Sequence, residues 1–559
     1  MKNNDLFQWV KAERHKLFFF FTIVLYIILY APYGFTEGDD GFISALAWRI
    51  YNGEIPYKDF IYVRPPVTIL QHTLPFFILP LDLIIISERV LFYISLGASC
   101  YFASKTISSL VDLKKYHLNV YLIASVGYIF SVNSFAPMAW HTIDGIFFGS
   151  IGIYFLVARK TVVSTAIGMV FLLLSALTKQ SFYLMPIAGF GYLLFDRRGS
   201  KAAATAIVSL VVSIIGFILV LMYFESWEEF LSQTTGSTSI RDGYTSGVYV
   251  YIHTDILFYL VPTIIWKLWD FASKGKSWQP GPSSFPYIFV LFTYVYTLAF
   301  YLNAFYVKDL SEIEYLHLEY MDPFARIGFL AVTTYLFFTK ANRSFISGVA
   351  LLLFLSWCSS ISWAHSSPHL FATPVMAVLV LMARQYFDVE RPGRFAYFLI
   401  VVGFLVYLIA YQKPYLSDTR ENMVYDLGKV NPRLSWVYGD VRINRKLSEL
   451  DSLVIKYGTN FKVLPAMPLA NMLHKKNSPV SIDWALNCEV AGREDRLFNE
   501  LEKSKAVVFI DRQALLGEIK LKDEDRKYGS SLTMKIYREW EKIDSLSQFW
   551  VYKSTKSNK

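Results

Sequence analysis

Only three cysteines occur in the 559 residues, and they are scattered: Cys100 and Cys358 lie inside apolar runs, and Cys488 stands alone near the end. That scarcity excludes a disulfide framework and a cysteine-based metal centre. Charge is sparse too. Asp, Glu, Lys and Arg make up 18% of the chain against 54% hydrophobic residues, and the mean hydropathy is +0.35. An ordinary soluble domain carries about a quarter charged residues, so the composition excludes that class and predicts an integral membrane protein. What fills the chain instead is a series of apolar stretches of roughly 17 to 25 residues between Leu17 and Tyr411, each long enough to cross a hydrocarbon core of about 30 Å.

The net charge of +9 does not point to nucleic acid, because the basic residues fall in short clusters between apolar runs. These are Lys11/Arg14/Lys16, Lys105/Lys114/Lys115, Arg159/Lys160, Arg197/Arg198/Lys201, Lys267/Lys274/Lys276, Lys340/Arg343 and Arg384/Arg391/Arg394. Such clusters mark cytoplasmic turns. The first run, Leu17 to Tyr30, lacks a small-residue cleavage site and is expected to be a retained span with the N-terminus in the cytoplasm.

Keeping every cluster inside decides how Val67 to Ile86 is read. Counted as a crossing, it would export all clusters from Lys105 to Arg394. Pro75, Pro80 and Asp82 interrupt it, and a re-entrant or interfacial hairpin over 67–86 is the better expectation. Spans then begin near Glu88, Asn119, Asp144, Thr161, Ser181, Ala203, Tyr251, Phe285, Phe324, Ser344, His369 and Phe395. With the first, this predicts a polytopic α-helical membrane protein of about 13 transmembrane helices. An odd count exports the remainder, so residues 1–411 form the membrane region and 412–559 an extracytoplasmic domain. In that tail, β-like runs at Leu453 to Tyr457, Ala506 to Ile510 and Phe549 to Tyr552 alternate with helical stretches such as Glu494 to Lys505, which suggests a small α/β domain. The tail holds no nucleotide-binding glycine loop, no HExxH and no GxSxG, so its expected role is to support or cover a site in the membrane region.

The outer face collects the ionisable groups. Loop 35–66 opens on Glu37-Gly38-Asp39-Asp40-Gly41 and ends on Arg64-Pro65-Pro66, and charge at a lipid boundary is costly enough to suggest work. Asp39 and Asp40 can take two roles, one capping the helix expected from Phe42 and the other acting as a general base toward a hydroxyl. Arg64 suits a phosphate or the lipid interface. Asp144, at the start of a span after Trp140 and His141, either caps that helix or joins the same surface. Lys179-Gln180 interrupts apolar residues at a tight turn, where the ammonium needs an acidic or phosphate partner or serves as an interfacial anchor. His365 and His369 stand four apart with Pro368 between them, which disfavours a metal-binding helical pair and leaves phosphate binding as the assigned use of His369. Ser232 to Tyr249, rich in Gly, Ser and Thr, is a mobile connector or a closing loop.

The string Asp39-Asp40-Gly41, Ala47-Trp48-Arg49-Ile50, Asn52 to Phe60 and Pro65-Pro66 resembles the first outer loop of GT-C glycosyltransferases. Asp144 at a span start, Leu177-Thr178-Lys179-Gln180 and Pro368 to Pro374 are similar to further segments of that family. The nearest pattern is that of the ArnT-like aminoarabinose transferases, the protein O-mannosyltransferases and the Rgt-type enzymes. The resemblance implies an inverting transfer of one sugar from a polyprenyl-phosphate donor to a hydroxyl of an extracytoplasmic glycan, lipid or protein, in a bacterial inner membrane. It implies that Asp39, Asp40 and Asp144 are the catalytic acids, and that Arg64, Lys179 and His369 bind the donor phosphate. Val63 stands where ArnT-like relatives place a carboxylate, and Gly41-Phe42 replaces an Arg-Tyr pair. No metal ligand is therefore assigned, and a divalent cofactor is left open. The alternative function is a transporter or lipid flippase, which predicts charges within the spans and an internal repeat. Here the charges concentrate at one surface.

Overall fold

The computed structural model describes residues 3–236, 342–361, 368–387, 391–415, 419–520 and 529–555, together with 264–265, 268–276 and a few single positions between 237 and 341. It is mostly helical, with a small sheet near the C-terminus. The long helices follow the apolar runs: α1 (Asn3–Tyr30), α4 (Ile84–Leu110), α5 (Val120–Val132), α6 (His141–Ala158), α7 (Val162–Ala176), α8 (Met185–Phe195), α9 (Ser200–Tyr223), α11 (Arg343–Ile361), α12 (Thr373–Phe387) and α13 (Pro392–Ala410). By length and composition, α6, α9, α11 and the stretch Leu81–Leu110 could cross a membrane. The helices α5, α7 and α8, at 13, 15 and 11 residues, are shorter than the ~20 residues of a full crossing. The spans expected from Tyr251, Phe285 and Phe324 lie outside the described residues.

Between α1 and α4 run two shorter helices, α2 (Phe42–Tyr51) and α3 (Val67–Ile78), and α10 (Trp227–Gly236) follows α9. Pro75 sits inside α3 without ending it. The helix stops where Leu79 turns extended ahead of Pro80, as the residue before a proline must. The expected hairpin over 67–86 therefore divides: α3 packs against α2, a turn covers 79–83, and Ile84 to Ile86 already belong to α4. The faces of α3 reverse those of a soluble helix in that the exposed side is apolar, while the buried side mixes Ile69 and Phe76 with polar residues. Thr68, His72 and Thr73 are buried, while Leu74, Phe77 and Ile78 are exposed, the pattern of a helix with protein on one side and lipid on the other.

The centre of the bundle is α6, flanked by α4 and α7. The α6–α7 approach depends on Gly152 and Gly168. A Cβ on Gly152 would lie 2.9 Å from the carbonyl oxygen of Gly168, and one on Gly168 would lie 3.0 Å from that of Gly152. Small residues let two backbones close in this way.

The C-terminal part carries a four-stranded sheet of β1 (Phe461–Leu464), β2 (Val507–Asp511), β3 (Glu541–Ser545) and β4 (Phe549–Lys553), in the order β1-β2-β4-β3. The β1–β2 pair is parallel and the others are antiparallel. The expected strand at Leu453 to Tyr457 is instead the end of helix α14 (Val441–Tyr457). Ile443, Leu447, Leu450 and Val454 are buried along it, a helical spacing that a five-residue window misses.

This part packs directly on loop 31–66. Phe35, Ala47, Trp48 and Phe76 share a hydrophobic cluster with Leu427, Ile443, Leu469 and Phe509. Ion pairs cross the same junction. Arg49 bonds Asp483 at 2.5 and 3.2 Å and Glu54 at 2.7 Å. Glu37 accepts from Arg442 at 2.6 Å and from Lys446. Burial opposes the charge on Glu37, but Lys446 and Arg442 hold its carboxyl at about 2. Its contribution to folding is present above the ordinary value of 4.5 and fades as pH falls toward 2.

Overpacking a close helix contact typically costs about 1–3 kcal/mol. Gly152→Leu and Gly168→Leu are therefore expected to lower the melting temperature of the purified protein and to drive it toward aggregates on size exclusion. Gly191→Ala, where an added Cβ meets nothing, leaves both measurements unchanged.

Candidate functional site

The acidic pair after α1 is divided by the backbone. Gly41 is the N-cap of α2 at φ 78, with no side-chain cap, so neither Asp39 nor Asp40 caps the helix. A side chain at Gly41 would be strained by that φ and would also strike Leu469 at 2.6 Å. Asp40 turns inward and is 1% exposed. Its Oδ2 accepts from the backbone N–H of Thr36 at 3.1 Å, from Arg89 of α4 at 3.1 Å and from the Tyr415 hydroxyl. Arg89 also donates to the carbonyls of Ala31 at 2.9 Å and Gly34 at 2.6 Å. Asp40 and Arg89 thus fold the loop onto α4.

Asp39 is half-buried. Burial, with Asp40 and Glu489 as like charges and only Arg64 opposing them, pushes its carboxyl up to about 6. Arg64 is the nearby cation. Its two terminal nitrogens hold the carboxylate of Glu489 in a fork, one bond measuring 2.6 Å, and its guanidinium lies 5.6 Å from the Phe42 ring centroid. Burial opposes the charge on Arg64, but Glu489 raises its basicity further. Glu489 comes from α15 (Asn487–Val490) of the C-terminal part.

Lys179 lies in the turn after α7, beside Gln180, whose amide donates to the Val63 carbonyl at 2.6 Å. Burial and the neighbouring Arg64, with Glu489 opposing, bring the Lys179 ammonium down to about 7. Arg64 and Glu489 therefore act on both Asp39 and Lys179 at one end of the bundle.

Asp144 sits one layer deeper and does not cap α6, whose N-cap is Trp140. It accepts from Gln71 at 3.1 Å and faces His72 Nε2 at 3.2 Å, while His72 Nδ1 meets Glu88. An imidazole between two carboxylates donates from both nitrogens when protonated, and this one ties α3 to α4 and α6. His141, three residues before Asp144, stacks on Tyr62 with ring centroids 6.2 Å apart. Among the described residues, neither ring nitrogen of buried His141 has a hydrogen-bond partner, nor does the Tyr62 hydroxyl. His369 opens a short turn, Pro368–Phe371, but its side chain, like all of His365, lies outside the described residues, as does most of Ser237 to Tyr249.

Residue 63 is the buried Val63. Among the described residues no group of three or more His, Cys, Asp or Glu side chains is placed to hold a metal ion.

Compared with known proteins, the chain matches no family model and no curated protein.

Sequence reasoning missed four participants. Glu489 gives no local signal, because only the fold brings the tail to loop 31–66. His72 does have one: Thr68, His72 and Phe76 recur every four residues on a helix whose other side is apolar. Arg89 and Glu88 were visible as adjacent charges at the start of an apolar run.

Breaking a buried ion pair by removing one partner costs about 3–5 kcal/mol. Asp40→Asn is expected to lower the melting temperature strongly, because Arg89 is then left buried without its countercharge. Asp39→Asn removes repulsion from Asp40 and Glu489 and leaves the melting temperature unchanged or raised. Differential scanning fluorimetry of the two purified variants separates these outcomes.

Proposed function

We propose that this chain is a membrane glycosyltransferase of the GT-C type. It moves one sugar, with inversion, from a polyprenyl-phosphate carrier to a hydroxyl of an extracytoplasmic lipid, glycan or protein. The observation that carries this reading is the meeting of Asp39, Arg64 and Lys179 at one end of the helices. An acid raised to about 6 can orient and deprotonate an acceptor hydroxyl near neutral pH. Two cations beside it can take the charge that develops on a departing lipid phosphate. Asp144 holds the wall of the site through His72 rather than touching the reactants. An apolar cavity of about 380 Å³ runs from Pro66 and Leu70 to Phe217, Val220 and Leu221 of α9. It begins two residues from Arg64 and offers the isoprenoid a path toward the lipid-facing side of α9. In this reading the protein lies in a bacterial inner membrane, with its N-terminus in the cytoplasm and its C-terminal part outside.

Two protonation states follow. Asp39 must be ionised to act as base, so the rate rises as pH passes about 6. Lys179 must be charged to meet the phosphate, so the rate falls as pH passes about 7. The pH profile of kcat/KM for transfer from a polyprenyl-phosphate sugar is expected to be bell-shaped between those limbs. In Lys179→Arg, which cannot lose its proton, the alkaline limb disappears. Asp39→Asn is expected to abolish transfer while the protein still inserts and purifies normally; full activity of that variant would sink the assignment.

A further inference from the structure

One charge at the rim comes from outside the helical region, and it fills the position that the reaction needs open. Glu489 occupies both terminal nitrogens of Arg64, the same fork that a phosphate would take. The two ligands cannot share those donors.

The two partners are anchored unequally. Tyr57 donates to the Arg64 carbonyl at 2.8 Å, Gln180 to the preceding carbonyl of Val63 at 2.6 Å, and Val67 N–H to Leu177 at 3.0 Å. With Phe42 beside its guanidinium, Arg64 is fixed. Glu489 rides on the four-residue helix α15, after which the chain turns a corner through Ala491 at φ 54 and Gly492 at φ 72. The next residue, Arg493, bonds Glu229 at 2.8 Å and Ser232 at 2.7 Å, and Asn487 at the start of α15 bonds Gly529 and Ser531, each at 2.8 Å, so α15 is held at both ends and it is the Glu489 side chain that turns away from the fork. Lys179 lies within the field of both Arg64 and Glu489, which keeps a cation at hand for a displaced carboxylate.

We infer that Glu489 is a built-in occupant of the anion seat: it holds Arg64 in place while the seat is empty and yields it to the phosphate of an incoming lipid. This rests on the reading of the site as a lipid-phosphate transferase, which it deepens. Glu489 is then a positioning residue that sets donor affinity, because only the fraction of molecules with the fork open can bind.

The test is binding by the full-length protein in detergent, with polyprenyl phosphate, inorganic phosphate and neutral polyprenol as probes. Glu489→Gln is expected to bind polyprenyl phosphate about tenfold tighter than the unaltered protein, with polyprenol binding unchanged. Glu489→Asp, whose shorter arm loosens the fork, should show a smaller gain, and Arg64→Met should erase the gain in Glu489→Gln. A purely structural carboxylate would give weaker binding on removal, never tighter. If Glu489→Gln melts early, Glu489→Asp decides, and it must still bind more tightly. Equal or weaker binding of polyprenyl phosphate by the variants overturns the inference while leaving the transferase reading standing. A gain for inorganic phosphate without any binding of polyprenyl phosphate keeps the inference and removes that reading. No binding of either phosphate by any variant removes both.

Discussion

The site depends on a set of ion pairs between loop 31–66 and the C-terminal part. Arg49 with Asp483, Glu37 with Arg442 and Lys446, and Arg64 with Glu489 join segments more than four hundred residues apart in sequence. Desolvation takes back much of what such pairs gain by attraction, so their net stabilisation is small, whereas leaving one partner alone is costly. Their effect is to select a single docking. A shifted register would bury at least one of these charges without its partner, and the apolar cluster around Phe35, Trp48 and Leu469 could not make that selection alone.

That docking gives two neighbouring carboxylates opposite fates. Asp40 is enclosed by Arg89, Tyr415 and a backbone N–H, and its charge is fully compensated. Asp39, one residue earlier, faces Asp40 and Glu489 as like charges with a single opposing cation. The left-handed Gly41 lets α2 start immediately after both without either side chain being drawn into a cap. One acid thus keeps the loop folded, and the other retains a proton affinity suited to neutral pH.

Much of this was legible in the sequence, and the rest was hidden for physical reasons. Apolar runs located the helices from α1 to α13 that fall on described residues, and Pro80 marked the break before α4. Placing the basic clusters on one side put Asp39, Arg64 and Lys179 on the same expected face. The tail's strands at Val507 and Phe549 announced themselves by β-branched and aromatic runs, whereas α14 was misread over its last five residues because its buried positions repeat over a longer distance. Long-range pairing left no trace: nothing near Glu489 indicates that it meets Arg64, and nothing near Asp40 indicates Tyr415. The capping roles open to Asp39, Asp40 and Asp144 were reasonable on local grounds and failed because Gly41 and Trp140 take the N-cap positions and tertiary partners hold Asp40 and Asp144.

The inverted faces of α3 also constrain the order in which the chain can assemble. A 12-residue helix is too short to cross a bilayer by itself, and the His72 ring on its inner side cannot leave water until Glu88 and Asp144 are there to receive it. Those two acids belong to α4 and α6, which are made later. The partners of this ring are therefore complete only after more than sixty further residues have been made. The docking of α3 closes this end of the bundle after α4 and α6 are in place.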